Sequence, residues 1–308
     1  MGPKIVNDLN GWLVIDKPYG MGSTEVVSRL KRLFHPRKIG HAGTLDPLAT
    51  GVLPIAMGKA TRTVPFVMNG LKKYTFQIQF GQATTTDDLE GEVIATSDHR
   101  PSKDEIEAVL PSFTGDILQV PPAYSALKTA GKRAYEKARK GEAVSLPPRP
   151  VHIESLTLTD LRAPDKAVLT VTCGKGTYVR SLGRDIARQC GSCGCIAELR
   201  RTQSGPFTLA DAISLDKLEK EAYSENPREV LIPLEAVLTD ILELAVSENE
   251  ARALGHGRAV PLPAGACFQE GDFLKAMLSG RLIAFGYAEG GMFRPSKVFK
   301  GENDVDYK

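Results

Sequence analysis

The chain has 308 residues, 42% of them hydrophobic and 25% charged, with a formal net charge of +2. That is room for one large domain and a small one with ordinary globular composition, and the near-neutral total does not by itself mark a nucleic-acid binder, so the distribution of charge has to be read. No run approaches the roughly 18 apolar residues of a membrane span, and the opening MGPKIVNDLN has no secretory apolar core, so a cytoplasmic protein with no membrane partner is expected. The first pattern, GWLVID at 11–16, reads as a short buried strand. A turn over 17–22 follows, and Ser23 is placed to cap a helix to about Phe34, with Val26, Val27, Leu30, Leu33 and Phe34 at helical spacing. Pro36 stops it. The helix exit over 31–38 carries four Lys or Arg and no acid, which is a solvated face or a place for phosphates.

Next comes GHAGTLDPLATG at 40–51. Between Gly40 and Met57 only His41 and Asp46 can titrate. Asp46 therefore has small and apolar sequence neighbours, and a carboxylate buried in such surroundings needs a cation from elsewhere to stay charged. Pro47 biases Asp46 toward extended backbone, and Gly43 and Gly51 permit sharp turns on either side. A lone Asp-Pro is ordinarily a turn; the apolar isolation and nearby His41 point to chemistry. The longer string GHAGTLDPLATGVLPIAMGKATR resembles the signature of the TruB family of tRNA pseudouridine-55 synthases. The resemblance implies that Asp46 is the catalytic nucleophile and that His41 fills space beside a flipped nucleotide.

YTFQIQF at 74–80 alternates cleanly, with Tyr74, Phe76, Ile78 and Phe80 on one face. On its own Tyr74 is a core tyrosine whose hydroxyl finds a partner at the rim; the resemblance makes it the active-site tyrosine, packed near the target base and a candidate for moving a proton. The segment TTTDDLEG at 84–91 is similar to the family's TDTxDxxG, which makes Asp88 a polar site residue, a turn role being equally open. Ser102 and Glu105 form a capping box opening a helix through Phe113. The stretch 121–150 holds seven Lys or Arg against two Glu, seven minus two giving +5, with Tyr124 and Tyr135 among them. A basic run with interleaved aromatics suits a groove that follows a nucleic-acid backbone. It resembles the RNA-gripping insertion of the family, with Lys128, Lys132, Arg133 and Lys137 as expected RNA contacts.

Val168 to Cys173 reads as a strand, and Gly174-Lys175-Gly176-Thr177 turns it into a helix with Val179, Leu182 and Ile186 on one stripe. This is not a phosphate-binding Walker loop, although a glycine turn at a helix start offers donors to an anion. KGTYVR at 175–180 matches a second family motif: the resemblance places Tyr178 against the nucleoside and pairs Arg180 with Asp46, as a guanidinium fork would. Leu199 corresponds to an apolar position lining the uracil pocket. Cys190, Cys193 and Cys195 lack the second pair that a zinc site needs and are read as free thiols in a glycine-rich helix exit. Five cysteines without a framework suit a reducing compartment. The run GSCGCIAEL departs there from the family's plainer Gly/Ala run.

A capping box at Ser247–Glu250 starts a short helix, and short apolar runs follow to about Phe299. Together the motifs imply an α+β fold: a pseudouridine-synthase-type mixed, largely antiparallel sheet with flanking helices over 1–240, with the insertion at 121–150, then a small PUA-like β-barrel over 241–308 with a frayed tail. The implied activity is isomerisation of the T-loop uridine of tRNA to pseudouridine by base flipping, without metal or cofactor, by a monomer that binds the tRNA T-arm and needs no protein partner. Three rivals stand beside it: a guide-RNA-dependent dyskerin-type synthase, a non-catalytic tRNA-binding or folding protein, and a nucleoside hydrolase. The last has only Asp88 as a second carboxylate.

Overall fold

The structure, a computed structural model, describes residues 7–125, 128–129, 132–133, 146–162, 165–220 and 227–299. Contacts divide the chain into two compact units, Met1–Ile232 and Pro233–Lys308, a few residues ahead of the domain boundary expected at 240.

The first unit begins with β1 (Gly11–Lys17), α1 (Ser23–Phe34), β2 (Ile39–His41), β3 (Ala49–Met57), α2 (Val64–Asn69) and β4 (Lys72–Phe80). A hairpin of β5 (Gln82–Thr84) and β6 (Val93–Thr96) leads to α3 (Lys103–Val109) and β7 (Gly115–Gln119). Two short strands, β8 (Lys128–Thr129) and β9 (Lys132–Arg133), pair with each other. The long β10 (Arg149–Arg162) and β11 (Lys166–Cys173) precede α4 (Val179–Gln189) and β12 (Gly194–Ser204), and the unit closes with β13 (Phe207–Thr208), β14 (Ile213–Ser214) and α5 (Leu215–Lys220). The main sheet runs β14-β1-β3-β12-β4-β11-β10-β7, with β2 beside β3 and β13 beside β12. Only the β1–β14 and β3–β12 pairings are parallel. This is the mixed, largely antiparallel sheet that the motifs imply.

The sheet's core face follows from the residue patterns. Phe76, Ile78 and Phe80 are buried, and they share one apolar cluster with Leu182 and Ile186 of α4 and with Val26, Leu30 and Phe34 of α1. Fully burying each such side chain is worth about 1.5–3 kcal/mol. Helix α4 sits close because it carries Gly183: a Cβ there would meet Ile196 Cδ1 at 2.5 Å. A glycine costs a helix interior about 1 kcal/mol, and here it lets the helix that begins at Val179 lie hard against β12. Helix α1 is capped differently from expectation. Gly22 holds the N-cap position without a side-chain bond, because Ser23 already bonds the main chain of Leu45.

Strand β3 is buried over almost its whole length, as the central position of a sheet covered on both faces requires. It pairs with β12 over 49–51 and with β2 over 55–57. Pro54, which cannot donate to a ladder, lies in the gap between the two pairings, and its carbonyl accepts from Ala42.

The second unit contains β15 (Leu242–Ala245), α6 (Glu248–Gly255), β16 (Val260–Pro261), β17 (Phe273–Leu278), β18 (Arg281–Glu289) and β19 (Met292–Val298). Its sheet order is β15-β17-β18-β19-β16, around a core that includes Leu254, Leu274, Ile283 and Phe293. The Ser247–Glu250 capping box forms as read. The small PUA-like, strand-rich module is therefore present, its described strands forming one five-stranded sheet that runs from β15 to β16.

Candidate active site

Asp46 stands on the loop joining β2 to β3. Leu45 and Leu48 are buried anchors on either side of it. Ser23 Oγ accepts from the Leu45 N–H at 2.8 Å and donates to its carbonyl at 2.9 Å. The Pro47 carbonyl accepts from Gly20 N at 2.9 Å and from Lys17 Nζ at 3.3 Å. Lys17, buried among carbonyls, has its pKa pushed down to about 8 by burial, with Asp46 pulling it back. The backbone under Asp46 is thus fixed while its side chain remains 39% exposed. Asp46 opens onto a cleft instead of lying isolated among apolar residues, and the cation it is expected to need comes from a distant helix.

Arg180 is the nearest of them, in the first turn of α4. Its Nη2 lies 2.8 Å from Asp46 Oδ2, while Nη1 and Nη2 each donate at 3.0 Å to the Thr86 and Tyr124 carbonyls. Nη1 is also 3.6 Å from Asp88 Oδ2. The guanidinium is 7% exposed, so the ion pair acts in a partly desolvated setting where charge-assisted contacts are strongest. The expected fork on Asp46 is a single-nitrogen contact, because Nη1 serves the 84–91 loop and Nη2 also donates to the Tyr124 carbonyl.

That loop is held from α4 as well. Asp88 accepts from the Thr86 hydroxyl and from Glu90 N and is buried. Asp87, with φ +60°, meets Arg184 Nη1 at 2.8 Å. Burial pushes the Asp87 carboxyl up and Arg184 draws it back down. Neither Arg184 nor Asp87 stood out in the sequence.

A cleft of about 330 Å³ brings together Asp46, Tyr74, Tyr178, Arg180, Leu199 and Arg201, within the range of small-ligand sites (about 300–1,000 Å³). Tyr178 is set by Gln119, whose amide bonds both its N–H (2.8 Å) and its carbonyl (3.1 Å). Burial raises the pKa of both tyrosines, which keeps them as phenols able to donate. Lys72 also lines the cleft. Its Nζ caps the end of α2 by donating to the Val67, Met68 and Gly70 carbonyls, and burial lowers its pKa to about 8. Asp88 and His41 do not line the cleft. Asp88 reaches it through Arg180. His41 closes β2; burial, then Arg201, lowers its pKa, and its buried Nδ1 has no hydrogen-bond partner among the described residues. A larger cleft of about 420 Å³ shares Leu199 but is walled by Thr75, Gln77 and Arg200, and it holds neither Asp46 nor Arg180.

Lys128, Lys132 and Arg133 lie on the β8–β9 pair, and Lys137 falls outside the described residues. Cys190, Cys193 and Cys195 are free. Cys190 caps α4, while Cys195 is already in β12, so the glycine-rich exit is shorter than expected and feeds directly into a strand.

Two family descriptions match: "TruB family pseudouridylate synthase (N terminal domain)" over 31–179 and "tRNA pseudouridylate synthase B C-terminal domain" over 180–239. The chain belongs to the TruB family of pseudouridine synthases. The Asp46–Arg180 contact joins the two matched regions. A tRNA pseudouridine synthase B of Gluconacetobacter diazotrophicus is 50% identical over 94% of this chain and 97% of its own. One from Bradyrhizobium diazoefficiens is 50% identical over 95% and 86%. Among solved structures, an H/ACA RNP bound to a substrate RNA containing 2'-deoxyuridine matches with TM-score 0.72 and 26% identity over 95% of this chain and 86% of that one. A Cbf5-Nop10-Gar1 complex matches with TM-score 0.71 and 28% identity over 94% and 84%. No helix among the described residues is long and apolar enough to cross a membrane.

Proposed function

We propose that this TruB-family enzyme isomerises the T-loop uridine of tRNA, at position 55, to pseudouridine, acting as a monomer on the T-arm without a guide RNA. The observation that carries the reading is the accessible Asp46 carboxylate held 2.8 Å from a buried guanidinium in a cleft walled by two tyrosines and a leucine. Relatives named tRNA pseudouridine synthase B, similar over nearly the full length, support the choice of tRNA.

In this reading the target base leaves its stack, which costs a few kcal/mol, and enters the cleft against Leu199. Asp46, ionised and aimed by Arg180, attacks the nucleoside or assists cleavage of N1–C1′. The uracil turns within the cleft and C5 joins C1′. The proton leaving C5 is balanced by one gained at N1, so no oxidant or reductant enters. Tyr74 and Tyr178 hold base and sugar, and Tyr74 carries a proton. His41 fills space beside the flipped nucleotide, and Lys128, Lys132, Arg133 and Lys137 grip the RNA backbone. The bound RNA covers the cleft, and excluding water keeps the freed base for recapture.

The test is incubation of the purified protein with an unmodified tRNA transcript, mapping pseudouridine, with Asp46→Asn alongside. Conversion of the T-loop uridine by the wild type alone supports the reading. Tight binding with no conversion by either protein overturns it in favour of a guide-dependent or non-catalytic role.

A further inference from the structure

Arg201 is buried beneath the cleft, 1% exposed, and its hydrogen bonds go to carbonyls instead of a carboxylate. Nε donates to Val52 O at 2.7 Å, Nη2 to Gly43 O at 3.0 Å, and Nη1 reaches Thr44 O at 3.5 Å. Two of these carbonyls precede Asp46 and one follows it, so a single side chain ties both ends of the catalytic loop. The tie fills the gap where β3 passes from β12 to β2. In the ladder Arg201 is the register partner of Tyr74 on β4 and of Gly51 on β3. Gly51 has φ +97°, and a Cβ there would fall 2.2 Å from the Arg201 carbonyl, so the last glycine of GHAGTLDPLATG is required by the approach of the Arg201 strand.

Taking a guanidinium out of water costs several kcal/mol unless it is fully engaged, and an apolar side chain would fill this strand position at lower cost. We propose that Arg201 is a positioning residue for the isomerisation. It fastens the Asp46 loop and donates a hydrogen bond to the Tyr74 phenol oxygen, leaving the phenol proton directed into the cleft. The inference rests on the functional reading above, in which Asp46 and Tyr74 act on the base. The electrostatics agree: burial drives the Tyr74 phenol upward, and the charge and hydrogen bond of Arg201 draw it back. A phenol so held can give up a proton more readily than one facing apolar walls alone.

The test has two readouts. With ¹³C-tyrosine labelling, the Tyr74 signal is assigned by its loss in Tyr74→Phe, and Arg201→Lys is expected to shift it. In single-turnover assays Arg201→Lys is expected to slow isomerisation by about 10²- to 10³-fold, the scale of one lost oriented donor, with the Kd for tRNA within about 3-fold of wild type. Combined with Tyr74→Phe, the loss should fall well short of the product of the two single losses. Arg201→Met, which needs no solvation, serves as the second variant if lysine does not fold. An unmoved Tyr74 signal, or losses that simply multiply, overturns the proposal. If the wild type converts no uridine, the functional reading fails, while the Tyr74 signal still decides whether Arg201 holds the phenol.

Discussion

Two loops bring aspartates to one arginine, and they present them differently. The 42–48 loop leaves Asp46 39% exposed at 2.8 Å from Arg180, whereas the 84–91 loop buries Asp88 to 2% at 3.6 Å from the same guanidinium. The Asp46 loop is fixed through its main chain, by Ser23, Lys17 and Arg201, so its carboxylate has one ionic partner among the described residues and an open side. The Asp88 carboxylate is itself the anchor of its loop, accepting from Thr86 and Glu90. A carboxylate that must meet a substrate has its backbone immobilised and its oxygens left available. One that must orient a cation spends its oxygens on the protein.

Exchanging each carboxylate for an amide of the same shape separates the two loops most clearly. Asp46→Asn is expected to lower the single-turnover rate by at least about 10³-fold, the scale for removing a nucleophile, while tRNA binding is retained in filter assays. Asp88→Asn is expected to cost about 10- to 100-fold in rate, the scale for losing a partner that orients a functional group, since Arg180 keeps its bonds to the Thr86 and Tyr124 carbonyls but loses one source of aim. Equal losses from the two substitutions would show that the loops do not divide the work as their exposures indicate.

Much of this site is legible in the residues. GHAGTLDPLATG and KGTYVR, through their resemblance to the family's motifs, single out Asp46, Tyr178 and Arg180, and the period-two pattern of β4 turns Tyr74 toward the core face. Arg201 was hidden by its neighbour: in Leu199-Arg200-Arg201 the two arginines look alike, yet strand alternation puts Arg201 on the Leu199 face and sends Arg200 to the other, where it pairs with Asp16 at 2.8 Å. That inference was available once Leu199 was assigned to the pocket. Ser23 could not be read in the same way. Before a helical run it has the composition of a cap, and only the fold shows that its hydroxyl is used by Leu45, 22 positions away. The exposure of Asp46 was equally out of reach, because apolar sequence neighbours say nothing about which side of a loop faces the cleft.

Ser23 offers a gentler probe of the Asp46 loop. Ser23→Ala leaves the Leu45 N–H and carbonyl without their partner in a buried setting, for which about 1–3 kcal/mol is the usual cost. Thermal unfolding should register that loss, and the rate should fall without a change in its Asp46 dependence. A variant as stable as wild type would mean that Leu45 and Leu48 hold the loop by packing alone.

The smallest expected effect lies in the other loop, at Glu90. Burial, then the neighbouring Asp88 and Asp46, raise its pKa above 4.5. A carboxyl raised in the folded state imposes no penalty where both states are protonated, below pH 4.5. The penalty grows as pH climbs through the raised value, because the unfolded chain ionises freely and the folded one does not. Glu90→Gln is therefore expected to match wild-type stability near pH 4 and to exceed it at pH 7, by about 0.5 kcal/mol or less given solvent screening. Chemical denaturation at the two pH values measures the difference. A gain that is the same at both would trace to packing of the amide, and would remove Glu90 from the acidic crowd that Arg180 and Lys17 are set against.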